Sequence, residues 1–190
     1  MTRVPEWRAL DTGEKAAAFG LLCAARLSAV ASLGGLSCAT ELGAFVRGWG
    51  DGVDVQDRYG RVLAAYSRRF PVRDDVGSPD YYRSLAVDIA LMAVHGGEKS
   101  PADHARRLMF MASGAWAELD ALAARRTASA RTTHDEVPAA REREVSCQAS
   151  DASALAAASD VRDAYRQALA RYRAEYAQRA RYFQALVIQC

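Results

Sequence analysis

The sequence has no asparagine and only two lysines, Lys15 and Lys99, so nearly all of its positive charge is arginine. A bias toward arginine and alanine of this kind fits a GC-rich coding sequence and signals neither thermostability nor phosphate recognition. Long apolar runs are missing as well. The most apolar stretch, 16–36, is interrupted by Arg26 near its middle and by Gly34-Gly35. A membrane span needs about 20 mostly apolar residues and tolerates a central arginine poorly. The stretch therefore reads as a buried core helix, and no membrane is expected. The four cysteines, Cys23, Cys38, Cys147 and Cys190, include no CxxC pair. That removes the close-spaced ligand pair of a metal site and leaves four free thiols in a reducing compartment as the expectation. The segment Met1–Trp7 lacks the basic-then-apolar layout of a signal peptide. Cys190, as the last residue, does not stand where a prenylated cysteine would. The expected location is the cytoplasm.

Catalytic and cofactor signatures are equally scarce. No serine sits in G-x-S-x-G, no G-x-x-x-x-G-K-[ST] occurs, and Gly48-Trp49-Gly50-Asp51-Gly52 follows no strand pattern. No cofactor is expected. No segment alternates apolar and polar residues for long enough to read as a strand. Charge of one sign is lacking too: 25 basic against 23 acidic residues leave +2, which excludes a strongly basic nucleic-acid binder or an acidic tail at the level of the whole chain. What remains is globular. Half of the 190 residues are hydrophobic and a quarter are charged, enough for one domain, or one domain with a tail.

Helix punctuation divides the chain. Asp11 or Thr12 caps a helix over about 13–33 that stops at Gly34-Gly35; Ser37 opens one over 38–49, ended by Gly50 and Gly52. Asp54 opens a third over 55–70, stopped before Pro71. Ser78-Pro79 and Ser100-Pro101 each place a cap before a proline at the first helical position, opening helices over 79–95 and 101–126. The apolar residues keep three-and-four spacing, as in Leu108, Met109, Ala112, Trp116, Leu119 and Leu122. Residues 127–150 lack large hydrophobes and include the charge run Arg141-Glu142-Arg143-Glu144, so they read as a long flexible linker. A last helix over about 152–188 carries the stripe Leu155, Val161, Tyr165, Leu169, Tyr172, Tyr176, Phe183 and Leu186. The expected fold is all-α: a single bundle of about six helices, with a core over 1–126, a polar linker over 127–150, and a long C-terminal helix within 151–190 packing on the bundle.

Two lone charges stand out. Arg26 projects into the apolar face formed by Phe19, Leu22, Cys23, Leu27 and Val30. Asp88 is the only charge in the apolar run 85–94. An unpaired buried charge costs several kcal/mol, so the two are expected to form a buried pair that fixes helix register. An anion or substrate site is the alternative. His95 and His104, with Glu98 and Asp103, flank one turn and could hold Zn²⁺, although the spacing is not that of HExxH. Asp74 and Asp75, with Asp80 nearby, could serve Mg²⁺ or acid/base chemistry, but read first as a solvated loop with an acidic helix start. Arg162, Arg166, Arg171, Arg173, Arg179 and Arg181 alternate with tyrosines as in some nucleic-acid binders. Here Asp160, Asp163 and Glu175 dilute the charge, so a solvated face is the better reading and nucleic acid is not the expected partner.

The opening Trp7-Arg8-Ala9-Leu10, followed by Ala16-Ala17-Ala18-Phe19-Gly20-Leu21-Leu22-Cys23-Ala24-Ala25-Arg26, resembles that of small all-helical bacterial immunity proteins. In such families an Ala-rich first helix carries a Cys-Ala-x-Arg stretch, here Cys23 to Arg26. The resemblance covers about the first hundred residues. It implies a non-enzymatic cytoplasmic binder whose partner is another protein, such as a toxin of the same cell. The alternatives are a helical DNA-binding regulator that uses the Arg-rich C-terminal helix, and a metal-dependent helical hydrolase built on Asp74, Asp75, Asp88, His95 and His104.

Overall fold

A computed structural model describes residues 7–31, 37–69, 78–96, 100–130 and 140–172. Among them the chain forms seven α-helices and no strand. After a short 3₁₀ turn, Trp7–Ala9, come α1 (Gly13–Ala31) and α2 (Ser37–Gly50). A π-helical turn, Gln56–Gly60, leads into α3 (Arg61–Arg69). Then follow α4 (Pro79–His95), α5 (Pro101–Ala130), α6 (Ala140–Ala157) and α7 (161–172).

The starts follow from side-chain capping. Thr12 Oγ1 accepts from the Lys15 amide (3.2 Å), Ser78 Oγ from Asp80 (3.2 Å) and Ser100 Oγ from Asp103 (3.3 Å). Gly96 closes α4 in the left-handed conformation, φ +52°, where a Cβ would be strained. α6 begins in another way. The Asp120 carboxylate, on α5, accepts from the amides of Ala140 (2.8 Å) and Arg141 (2.9 Å), so a neighbouring helix supplies the cap. α7 is capped locally by Asp160, whose Oδ1 accepts from the Asp163 amide at 2.9 Å.

α1 is the central element. It packs most extensively on α4, then on α5. The apolar core they share includes Phe19, Leu21, Leu27, Val87, Ile89, Leu108, Ala112 and Trp116, all buried. Gly20 permits that closeness: a Cβ there would lie 2.7 Å from Ala93 Cβ and collide with Leu108. The all-round apolar character of α4 matches its position between α1, α3 and α5.

The long-linker expectation needs correction. Residues 127–130 extend α5, and residues 140–150 belong to α6; only 131–139 of that stretch lie outside the described residues. The physical reason is that half of the bundle-facing stripe of α6 is polar and most of the rest is alanine. Ala140, Glu144, Gln148, Asp151, Ala152 and Leu155 are its buried residues, spaced as one helical face. The single C-terminal helix over 152–188 is corrected as well. The chain breaks at 158–160 and restarts as α7. Residues 173–188 lie outside the described residues.

α6 and α7 form a hairpin laid over α1, α2 and α5. α7 docks on the carbonyl end of α2. Tyr165 Oη donates to Val46 O (2.7 Å), Arg162 Nη1 to Trp49 O (3.0 Å) and Arg166 Nη1 to Gly50 O (2.8 Å). Of these acceptors, Gly50 O is a carbonyl that the helix end leaves without an intrahelical partner, and Trp49 O also accepts from the Gly52 amide. The two arginines bring positive charge to the negative pole of α2. Tyr165 also meets Trp49 edge to face, with centroids 5.0 Å apart.

Candidate functional site

The densest chemistry in the described residues is a sealed polar cluster beneath the hairpin. α1 supplies Cys23 and Arg26, α5 supplies Ser113, α6 supplies Glu144, Gln148 and Asp151, and α7 supplies Arg171 and Tyr172. Arg26 is 1 % exposed, Glu144 1 %, and Gln148 and Asp151 0 %. Arg26 grips Glu144 side-on, with Nε to Oε2 and Nη2 to Oε1 both at 2.8 Å. Its Nη1 donates to Asp151 Oδ2. Tyr172 Oη donates to Asp151 Oδ1 (2.7 Å), and Gln148 Nε2 to Glu144 Oε1 (2.8 Å). Ser113 Oγ donates to Gln148 Oε1 at 3.2 Å. The guanidinium carbon also lies 5.1 Å from the Tyr172 ring centroid.

The electrostatics follow from one buried cation facing two buried carboxylates. Burial opposes the charge of Arg26, but Glu144 and Asp151 more than offset this and hold it well above its ordinary pKa. Burial raises the pKa of Asp151, against the opposing pull of Arg26. The second cation near Asp151 is Arg171, 3.7 Å from Oδ1 and half exposed. Burial also pushes the Cys23 thiol far up, so it stays protonated despite the adjacent guanidinium. A fork-shaped cation held by two carboxylates in a closed interior fixes the relative register of the helices that carry them.

The structure thus corrects the expected partner of Arg26. The residue is buried as its position on the apolar face requires, but Asp88 does not pair with it. Asp88 is half-buried on the side of α4 that meets α3 and accepts from Ser67 Oγ at 2.6 Å. Two separate polar contacts replace one, because α1 turns Arg26 toward α6 and α7. With 1 % exposure, Arg26 also lines no open anion site.

The other candidates are dispersed. His95 is exposed at the end of α4, its Nδ1 2.7 Å from Leu91 O. His104 is buried on α5, with neither ring nitrogen hydrogen-bonded among the described residues. No group of three or more His, Cys, Asp or Glu side chains among the described residues is placed to hold a metal. Asp74 and Asp75 lie outside the described residues. Of the C-terminal arginines, Arg162 and Arg166 bond the end of α2 and Arg171 faces Asp151, while Arg173, Arg179 and Arg181 lie outside the described residues. Among the described helices none is long and apolar enough to cross a membrane.

Two surface features complete the picture. An open groove of about 330 Å³ runs between α6 and α7, lined by alanines with Asp163, Gln167 and Arg171 at its edge. The second feature is aromatic. Phe110 on α5 is 58 % exposed, the most exposed large hydrophobic residue among those described. Arg106 stacks on it at 5.6 Å and on Trp7 at 5.4 Å, and Arg8 covers Trp7 at 5.2 Å. One turn on, Gly114 leaves the adjoining surface flat: a Cβ there would meet no atom within 4 Å. Compared with known protein families, curated proteins and solved structures, the chain matches none.

Proposed function

We propose that this protein is a non-enzymatic binding module of the cytoplasm that neutralises or regulates a protein partner, as an immunity protein does its toxin. The observation that carries the reading is the Trp7–Arg106–Phe110 surface. A lone exposed phenylalanine needs no explanation, but an apolar patch rimmed by polar groups marks an interaction site. Arg106 here bridges Phe110 and Trp7 into one surface. Tryptophan and arginine are the residue types most often found at energetic centres of interfaces, and a stacked arginine is held ready at little further entropic cost. Arg8 and Arg106 surround the aromatic rings with positive charge. The matching partner surface is an apolar side chain ringed by carboxylates.

Placing a photo-crosslinking phenylalanine analogue at position 110 in the native cell tests this. The expected product is one dominant protein adduct, whose crosslinked segment contains Asp or Glu around an apolar residue. Arg106→Glu should abolish it. Adducts confined to a second copy of this chain, to nucleic acid or to lipid overturn the reading, as does stoichiometric zinc or iron bound through His95 or His104.

A further inference from the structure

The hydrogen-bond network under the hairpin divides unevenly between hairpin and bundle. Glu144 keeps Gln148, and Asp151 keeps Tyr172 and Arg171, all within residues 140–172. Among the described residues, only Arg26 and Ser113 reach Glu144, Gln148 and Asp151 from the bundle with hydrogen bonds between oxygen and nitrogen groups. The acidic half of the lock is therefore assembled inside the hairpin, and it stays partnered if the hairpin moves away. The apolar contribution of α6 to its docking is small. Three of its six buried residues are Glu144, Gln148 and Asp151, and two of the others are alanines. α7 adds Tyr165, Ala168 and Tyr172, yet the hairpin as a whole still buries far fewer apolar side chains than α1, α4 and α5. Regions with few buried apolar contacts sit at the low end of local stability. A buried ion pair adds little net stability, since desolvation offsets its attraction, while demanding strict geometry.

We propose that residues 140–172 form a releasable clamp that opens from the bundle as one unit while α1, α4 and α5 stay folded, with Arg26, Glu144 and Asp151 as its latch. Secondary fastenings open with it, chiefly the Asp120 cap on α6 and the α7 donors on the carbonyl end of α2. Opening uncovers Cys23, which is 0 % exposed when the clamp is shut and touches Arg26 and Gln148. The clamp is thus a built-in switch for the face of α1 that carries Cys23 and Arg26. Opening needs no occupant at the Trp7–Phe110 surface, although α6 also packs on the Trp7–Ala9 turn, so opening loosens one edge of that surface.

Cys23 gives the readout. Site-resolved alkylation of the full chain, alongside hydrogen exchange of the same sample, reports clamp opening and core opening separately. In the wild-type protein, amides of 140–172 should exchange together and before those of α4, and Cys23 should be alkylated at the rate of that block. Glu144→Gln should speed both by more than tenfold and leave α4 unchanged. Asp120→Ala, which removes only a cap, should speed both by about fivefold, and it serves where Glu144→Gln does not fold. The proposal is overturned if 140–172 and α4 exchange at one rate, if the variants accelerate every helix equally, or if the Cys23 rate does not follow the 140–172 block.

Discussion

The α1–α4–α5 core and the α6–α7 hairpin solve the same packing problem with different chemistry. The core is joined by aliphatic and aromatic side chains that close so tightly that Gly20 has no room for a methyl group. The hairpin is joined to the bundle by an arginine facing two carboxylates, a serine–glutamine contact, the Asp120 cap and three donors to the end of α2. Beside them stands a smaller apolar share from Leu155, Tyr165 and Tyr172. Apolar packing rewards many approximate contacts, and its strength scales with area. Charge docking rewards a few contacts of fixed geometry, and its net strength is small. One region is therefore built for stability and the other for register.

The strongest way to break this comparison is to remove the cation. Arg26→Ala leaves two carboxylates with no buried countercharge and should cost about 3–5 kcal/mol. The loss is expected as vanished exchange protection over 140–172, with α4 still protected. Leu108→Ala in the core should cost about 2–5 kcal/mol, and it should lower the denaturation midpoint of every helix together. If the two variants show the same pattern, the regions are not distinct.

A pH series sharpens the electrostatic side. Asp151 has a raised pKa in the folded chain, so its contribution is full below the ordinary value of 3.8 and is lost as pH rises through the raised value. Denaturant titrations of wild type and Asp151→Asn should show the variant's deficit growing on acidification from neutrality toward 3.8. A deficit that shrinks instead would reverse the assignment. Tyr165→Phe removes only the hydroxyl that bonds Val46 O, and should cost about 0.5–1.5 kcal/mol. The smallest stability effect is expected for Phe110→Ala, within about 0.5 kcal/mol by thermal melting. Its consequence is for partner binding.

How far the fold can be read from the residues depends on which of the two chemistries a segment uses. The serine-proline starts of α4 and α5 and the glycine exit of α4 stand where the capping pattern puts them, because those signals act within a few residues. The stripe Leu108–Ala112–Trp116–Leu119 is apolar and reads as a buried face. The stripe Ala140–Glu144–Gln148–Asp151–Leu155 has the same helical spacing, but hydrophobic periodicity is blind to it, since Glu144, Gln148 and Asp151 are polar. Its start is hidden as well, because the cap comes from Asp120 on another helix. Arg26 announces a buried charge from local context alone. Its partners, 118 and 125 residues away, have no local signature that separates them from surface carboxylates such as Glu142. Asp88 suggests itself as the match because it is the lone charge of an apolar run, whereas a half-buried aspartate beside Ser67 needs no cation.

That separation along the chain also bears on synthesis. Arg26 leaves the ribosome 118 residues ahead of Glu144, an interval of roughly 6–24 s at about 5–20 residues per second. For that time the first helix carries a charge whose countercharges do not yet exist. The nascent N-terminal helices can gather their oily faces, but Arg26 must keep its water until α6 arrives. Closure of the hairpin is therefore a late event in the birth of the molecule, and a chain truncated before residue 144 would present the same arginine, permanently wet, to the cell's quality-control machinery.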